Sequence, residues 1–109
     1  VEQRNRPLVQ LGSGNDQISL KPNNFLYAKA DGNYVDIHYF DFHSLNSHLL
    51  RTTFKELLLA FNNDDIVQCH RSFVVNLKFD FVLKGNTKQR QLYYPEYDIS
   101  IPLSRSFKV

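Results

Sequence analysis

The sequence predicts a mainly β protein of about eight to ten short strands with one short α-helix. Three observations lead there. Apolar runs are brief and bounded by Gly, Pro, Asn and Asp. Tyr34 to Phe40 alternates Val35, Ile37 and Tyr39 against Tyr34, Asp36 and His38, the period of a half-buried antiparallel strand. Helical periodicity occurs once, where Phe54, Leu57, Leu58 and Phe61 form a single apolar stripe.

The elements follow in order. Residues 1–7 (VEQRNRP) are polar and aperiodic and read as a linker. Leu8 to Leu11 is a strand, Gly12 to Asp16 a turn of small polar residues, and Ile18 to Leu20 the returning strand. Pro22-Asn23-Asn24 breaks the chain. Phe25 to Ala30 forms the next strand, and Asp31-Gly32-Asn33 turns it into Tyr34–Phe40, with Gly32 and Asn33 supplying positive φ. A polar reversal over 41–47 leads to a strand at His48–Thr52. Thr53 and Glu56 fit a capping box opening a helix of about ten residues, which Asn62-Asn63-Asp64-Asp65 ends. Ile66–Cys69 and Phe73–Asn76 flank the polar His70-Arg71-Ser72. Phe79–Leu83, Gln91–Tyr94 and Tyr97–Ile101 complete the set, Pro102 limiting the last to an edge.

At 109 residues the chain is one domain with room for a single hydrophobic core. An apolar share of 42% and a charged share of 22% exclude a disordered chain. Val1 stands where a natural start would have Met, and no Met occurs at all, so a processed chain or excised piece is expected. No apolar run approaches the roughly 18 residues of a spanning helix, and no signal-peptide pattern is present. The lone Cys69 forbids an intrachain disulfide and fits a reducing, cytoplasmic setting. Net charge is +2, but residues 1–65 carry −2 and residues 66–109 carry +4. A basic bias in one half is compatible with a polyanionic partner.

Catalytic and metal chemistry find little support. His38, His43 and His48 are spaced more widely than usual metal-ligand pairs, so no metal site is expected. Cys69 and His70 are strand neighbours whose side chains point apart, a poor nucleophile–base pair. Gly12-Ser13-Gly14 lacks the Lys and Ser/Thr of a phosphate loop. No catalytic residues and no cofactor are assigned, and no enzyme is expected. Two segments stand out instead. His70-Arg71-Ser72 interrupts an apolar run, and burying an unpaired Arg costs several kcal/mol, so it should surface at a strand end. Ser104-Arg105-Ser106 repeats the pairing of Arg with Ser, donors suited to phosphate and to guanine edges.

The chain resembles the LytTR DNA-binding domain of bacterial response regulators. The resemblance is carried by Phe25-Leu26-Tyr27-Ala28-Lys29-Ala30-Asp31-Gly32-Asn33-Tyr34-Val35, Arg51-Thr52-Thr53-Phe54-Lys55-Glu56-Leu57, Cys69-His70-Arg71-Ser72-Phe73-Val74-Val75-Asn76 and Ile101-Pro102-Leu103-Ser104-Arg105-Ser106. It covers residues 8–109. It implies an elongated arrangement of small antiparallel sheets that binds double-stranded DNA through loops entering successive major grooves, without a recognition helix. It implies base contacts at Asn33, Arg71 and Arg105. Arg suits guanine O6/N7 and Asn suits adenine N6/N7.

Lys29, Ser72, Ser104 and Lys108 flank these positions as phosphate contacts, which fix register rather than sequence. His70 either joins them or packs internally. Asn76 ties backbone at a turn. Lys84, Lys88 and Arg90 form a second basic cluster, on a hairpin that need not face DNA. The resemblance further implies transcription regulation as the output of a receiver or membrane-sensor domain upstream. It implies dimers on repeated half-sites and an isolated domain that is monomeric. The rival class is a β-sandwich protein-interaction module without a nucleic-acid role.

Overall fold

The computed structural model describes residues 8–108; the linker expected at 1–7 lies outside them. The strands are β1 (Val9–Ser13), β2 (Asp16–Leu20), β3 (Phe25–Asp31), β4 (Tyr34–Asp41), β5 (Ser44–Leu50), β6 (Ile66–His70), β7 (Phe73–Asn76), β8 (Val82–Gly85), β9 (Arg90–Tyr94) and β10 (Ile99–Pro102). A 3-10 turn occupies Pro22–Asn24, and α1 spans Phe54–Phe61. Three small antiparallel sheets result: β1-β2, β10-β9-β8 and a central five-stranded sheet ordered β5-β4-β3-β7-β6. The described residues form a flattened body of 41 × 36 × 23 Å.

The central sheet is apolar on both faces, because neighbouring residues of its strands point opposite ways. Phe25, Ile66 and Val74 enter one cluster with Leu11, Leu20, Leu57 and Phe61 from the β1–β2 hairpin and α1. Leu26, Val67 and Val75 enter the other with Leu92, Tyr94 and Ile101 of the β8–β10 sheet. The single core expected from length is therefore corrected: 109 residues build two thin apolar layers sharing one sheet.

The helix begins at Thr53 as expected, but only half of the capping box forms, because the Glu56 carboxylate turns to Thr52 rather than to the Thr53 amide. Thr53 Oγ1 accepts the Glu56 amide at 3.1 Å, while the Glu56 carboxylate accepts from Thr52 Oγ1 at 3.0 Å. Leu57 and Phe61 are buried and Phe54 and Leu58 pack beside them. Asn62 closes the helix in the left-handed region at φ 45°. Eight residues is shorter than expected, since Asn62 takes the cap.

Several strand boundaries differ from the sequence reading, three strand starts among them. β5 starts at Ser44 rather than His48, because the chain reverses in two residues at Phe42 and His43, with φ 51° and 71°. Neither residue signals such a turn. β8 starts at Val82 rather than Phe79, whose ring packs on Phe40 and Tyr97. β10 starts at Ile99, after a turn in which Asp98 takes φ 55°.

Buried Asn76 joins the layers as a latch. Its Nδ2 donates to the carbonyls of Phe25 at 2.8 Å and Pro22 at 3.2 Å, and its Oδ1 accepts the Lys78 amide at 3.0 Å. The Tyr94 hydroxyl donates to the Asn76 carbonyl at 2.8 Å. The backbone-tying role expected of Asn76 is thus met by its side chain.

Candidate nucleic-acid interface

One end of the central sheet gathers the turns singled out from sequence. β3 and β4 meet in a two-residue turn, Gly32-Asn33, between the paired Asp31 and Tyr34. β6 and β7 meet at Arg71-Ser72. The two turns are neighbours because β3 pairs with β7, Lys29 facing Phe73, and the Ala30 amide donates to the Ser72 carbonyl at 2.9 Å. The chain after β10 closes the row. The Ser104 amide donates to the Cys69 carbonyl at 2.9 Å, setting Arg105 beside the end of β6. Asn33, Arg71 and Arg105 are all exposed.

Gly32 has φ 61°, the conformation a first turn residue adopts in a type II′ hairpin. Asn33, contrary to expectation, has no positive φ: the turn's geometry rests on Gly32 alone. The Asn33 side chain is not needed to make the turn and stands in solvent at its tip.

The polar triplet at Arg71 forms its own small frame. His70 Nδ1 accepts the Ser72 amide at 3.1 Å, which in the neutral ring fixes the proton on Nε2. The ring packs edge-on against Phe73 at 5.9 Å between centroids. His70 is half-buried with one nitrogen engaged internally, and its remaining N–H is a donor. Ser72 is also half-buried; Lys29 and Lys108 are exposed. A bulge between Gln68 and His70 breaks the simple alternation assumed for Cys69 and His70. Cys69 is fully buried, its Sγ 3.8 Å from the Phe73 carbonyl and 3.7 Å from that of Pro102, and burial pushes its thiol pKa up to about 12.

Arg90 escaped the sequence reading, which grouped it with Lys84 and Lys88. It opens β9, and its Nη2 donates to the carbonyls of Ser104 at 2.9 Å and Arg105 at 3.4 Å, and to that of Phe107. The Leu103 amide in turn donates to the Arg90 carbonyl at 3.0 Å. One guanidinium therefore shapes the turn that carries Arg105. No local signal marks this; the partners are more than a dozen residues away. Lys84, by contrast, lies over the Tyr93 ring at 4.0 Å.

Chemically, the row offers guanidinium, amide, ammonium, hydroxyl and imidazole donors along one edge, which suits a phosphate backbone and base edges. Among the described residues, no group of three or more His, Cys, Asp or Glu is placed to hold a metal ion. Nor, among the described residues, is any helix long and apolar enough to cross a membrane.

Comparison with known proteins bears on the family and the fold. The family model of the LytTr DNA-binding domain matches residues 15–108. An uncharacterised response regulatory protein of Vibrio cholerae is 30% identical over 101 residues, covering 92% of this chain and 38% of that protein. The chain thus spans little more than a third of that relative. Among solved structures, the LytTr DNA-binding domain of a protein described as a methyl-accepting/DNA response regulator from Bacillus cereus superposes with a TM-score of 0.69. It is 18% identical, over 94% of this chain and 90% of that one. The chain belongs to the LytTr DNA-binding domain family.

Proposed function

We propose that this domain binds double-stranded DNA sequence-specifically through the turn-bearing end of its central sheet, as the output domain of a transcriptional regulator. The observation that carries the reading is the side-by-side arrangement of the β3–β4 turn, the β6–β7 turn and the segment after β10. Asn33, Arg71 and Arg105 contact base edges; Lys29, His70, Ser72, Ser104 and Lys108 hold phosphates. The Asn33 and Arg71 turns are about two strand spacings apart, roughly 10 Å. That is well short of the major-groove repeat of about 34 Å. Reaching successive grooves therefore falls to the outer positions of the row, with Arg71 between them.

The names of the two relatives favour a receiver domain as the upstream partner over a membrane sensor. Two copies on repeated half-sites, in the cytoplasm, follow from the same reading. The test is selection of bound sequences from a random duplex pool, followed by titration of the selected duplex over a range of salt. A defined motif with steeply falling affinity supports the proposal. No enriched motif and no salt-dependent binding would return the domain to the protein-interaction class.

A further inference from the structure

Arg51 stands at the same end of the central sheet as the three turns, at the far side of the row from Arg105. The register sets this: Val35 faces Leu50, so the residue after Leu50 emerges beside Tyr34 and the Gly32-Asn33 turn. Following strand order, the row reads Arg51, Asn33, Arg71 and Arg105. The Arg51 amide donates to Asp16 Oδ2 at 3.4 Å, which ties its backbone to the β1–β2 hairpin. Its guanidinium leans over the Tyr34 ring at 5.9 Å from the centroid. Arg51, Asn33 and Tyr34 together line an open cleft of about 760 Å³ that also takes in Thr52, Thr53 and Glu56.

We propose that Arg51 is a further phosphate-binding residue, taking the DNA backbone strand that passes beyond Asn33. The inference rests on the DNA reading above and lengthens its footprint by one phosphate. Arg51 is exposed, and its guanidinium lies over the ring of Tyr34, the residue next to Asn33, so its charge is carried at the same end of the sheet as the turns. The carboxylates beside it are Asp16, which accepts its amide, and Glu56, which lines the cleft and whose Oε1 accepts from Thr52 Oγ1 at 3.0 Å. A phosphate there meets the Glu56 carboxylate as well, so Glu56 opposes the contact.

The experiment titrates this chain with a fluorescent 30-base-pair random-sequence duplex over a range of NaCl. Arg51→Gln should lower the slope of log K against log salt by about 0.9, and weaken binding roughly fivefold at the lowest salt. Arg51→Lys should keep the slope. Glu56→Gln, which preserves the capping pattern, should tighten binding. A purely structural Arg51 would change the melting temperature and leave the slope alone. An unchanged slope in Arg51→Gln, with wild type binding normally, overturns the inference and leaves the DNA reading intact. Should Arg51→Gln fail to fold, unaltered affinity in Glu56→Gln overturns it. Absence of salt-dependent binding by wild type overturns both.

Discussion

Arg90 holds Arg105 by its backbone: the Arg90 guanidinium donates to the Arg105 carbonyl at 3.4 Å and to the preceding Ser104 carbonyl at 2.9 Å. A side chain of β9 thus presets the turn whose exposed arginine is proposed to read a base. Arg90→Gln should lower DNA affinity without removing a DNA contact, and should cost about 1–3 kcal/mol of stability through the lost charge-assisted bonds. Urea unfolding and DNA titration check the two parts. In Arg90→Gln combined with Arg105→Ala, the affinity losses should fall short of additive, because both act through one turn.

Arg105→Ala should cost about 1–3 kcal/mol on a selected site and relax preference at one base position. Stability should barely move, since the side chain is exposed. Equal losses on selected and random duplexes would make Arg105 a phosphate contact instead.

Thr53→Ala removes the acceptor for the Glu56 amide and should destabilise the fold by about 0.5–2 kcal/mol. Affinity measured well below the melting temperature should stay the same, because the apolar stripe of α1 packs under the central sheet. A large loss in the folded variant would put the DNA surface on α1.

Cys69 should resist thiol reagents at pH 8 until the protein unfolds, since the side chain is fully buried and its pKa lies at about 12. The sign of the pH effect follows. Below pH 9 the thiol is neutral in both states and costs nothing. Above it the unfolded thiol ionises while the folded one does not, so stability falls as pH rises from about 9 toward 12. The slope from this residue is at most about 1.4 kcal/mol per pH unit. Tyr94, also raised by burial, adds in the same direction above pH 10. Urea unfolding of wild type and Cys69→Ala between pH 8 and 10.5 checks this; equal pH profiles would contradict it.

The sequence carried the fold where local physics acts alone. The alternation of Val35, Ile37 and Tyr39 marked β4, and Thr53 with Glu56 marked the helix start. It misled where tertiary context decides. Phe42 and His43 turn left-handed without any turn residue to announce it, and polar Ser44, Asn46 and Ser47 lie on an edge strand that needs no apolar face. At the candidate interface, Arg71 and Arg105 stood out because each interrupts an apolar run, whereas Asn33 read only as a turn residue until the family resemblance implied a DNA contact there. Their adjacency was not legible, because it depends on β3 pairing with β7 and Ser104 bonding to Cys69. Arg90 was hidden for the same reason: its partners are set by the fold, not by spacing.

Backbone amide NMR of this chain titrated with a selected duplex shows whether DNA meets the turn-bearing end of the central sheet. The largest shift changes should fall at Gly32–Tyr34, Arg71–Ser72 and Ser104–Lys108, with the Phe42-His43 turn at the opposite end unmoved. Changes concentrated at Phe42-His43, or on α1 with Arg71 and Arg105 silent, would contradict that placement.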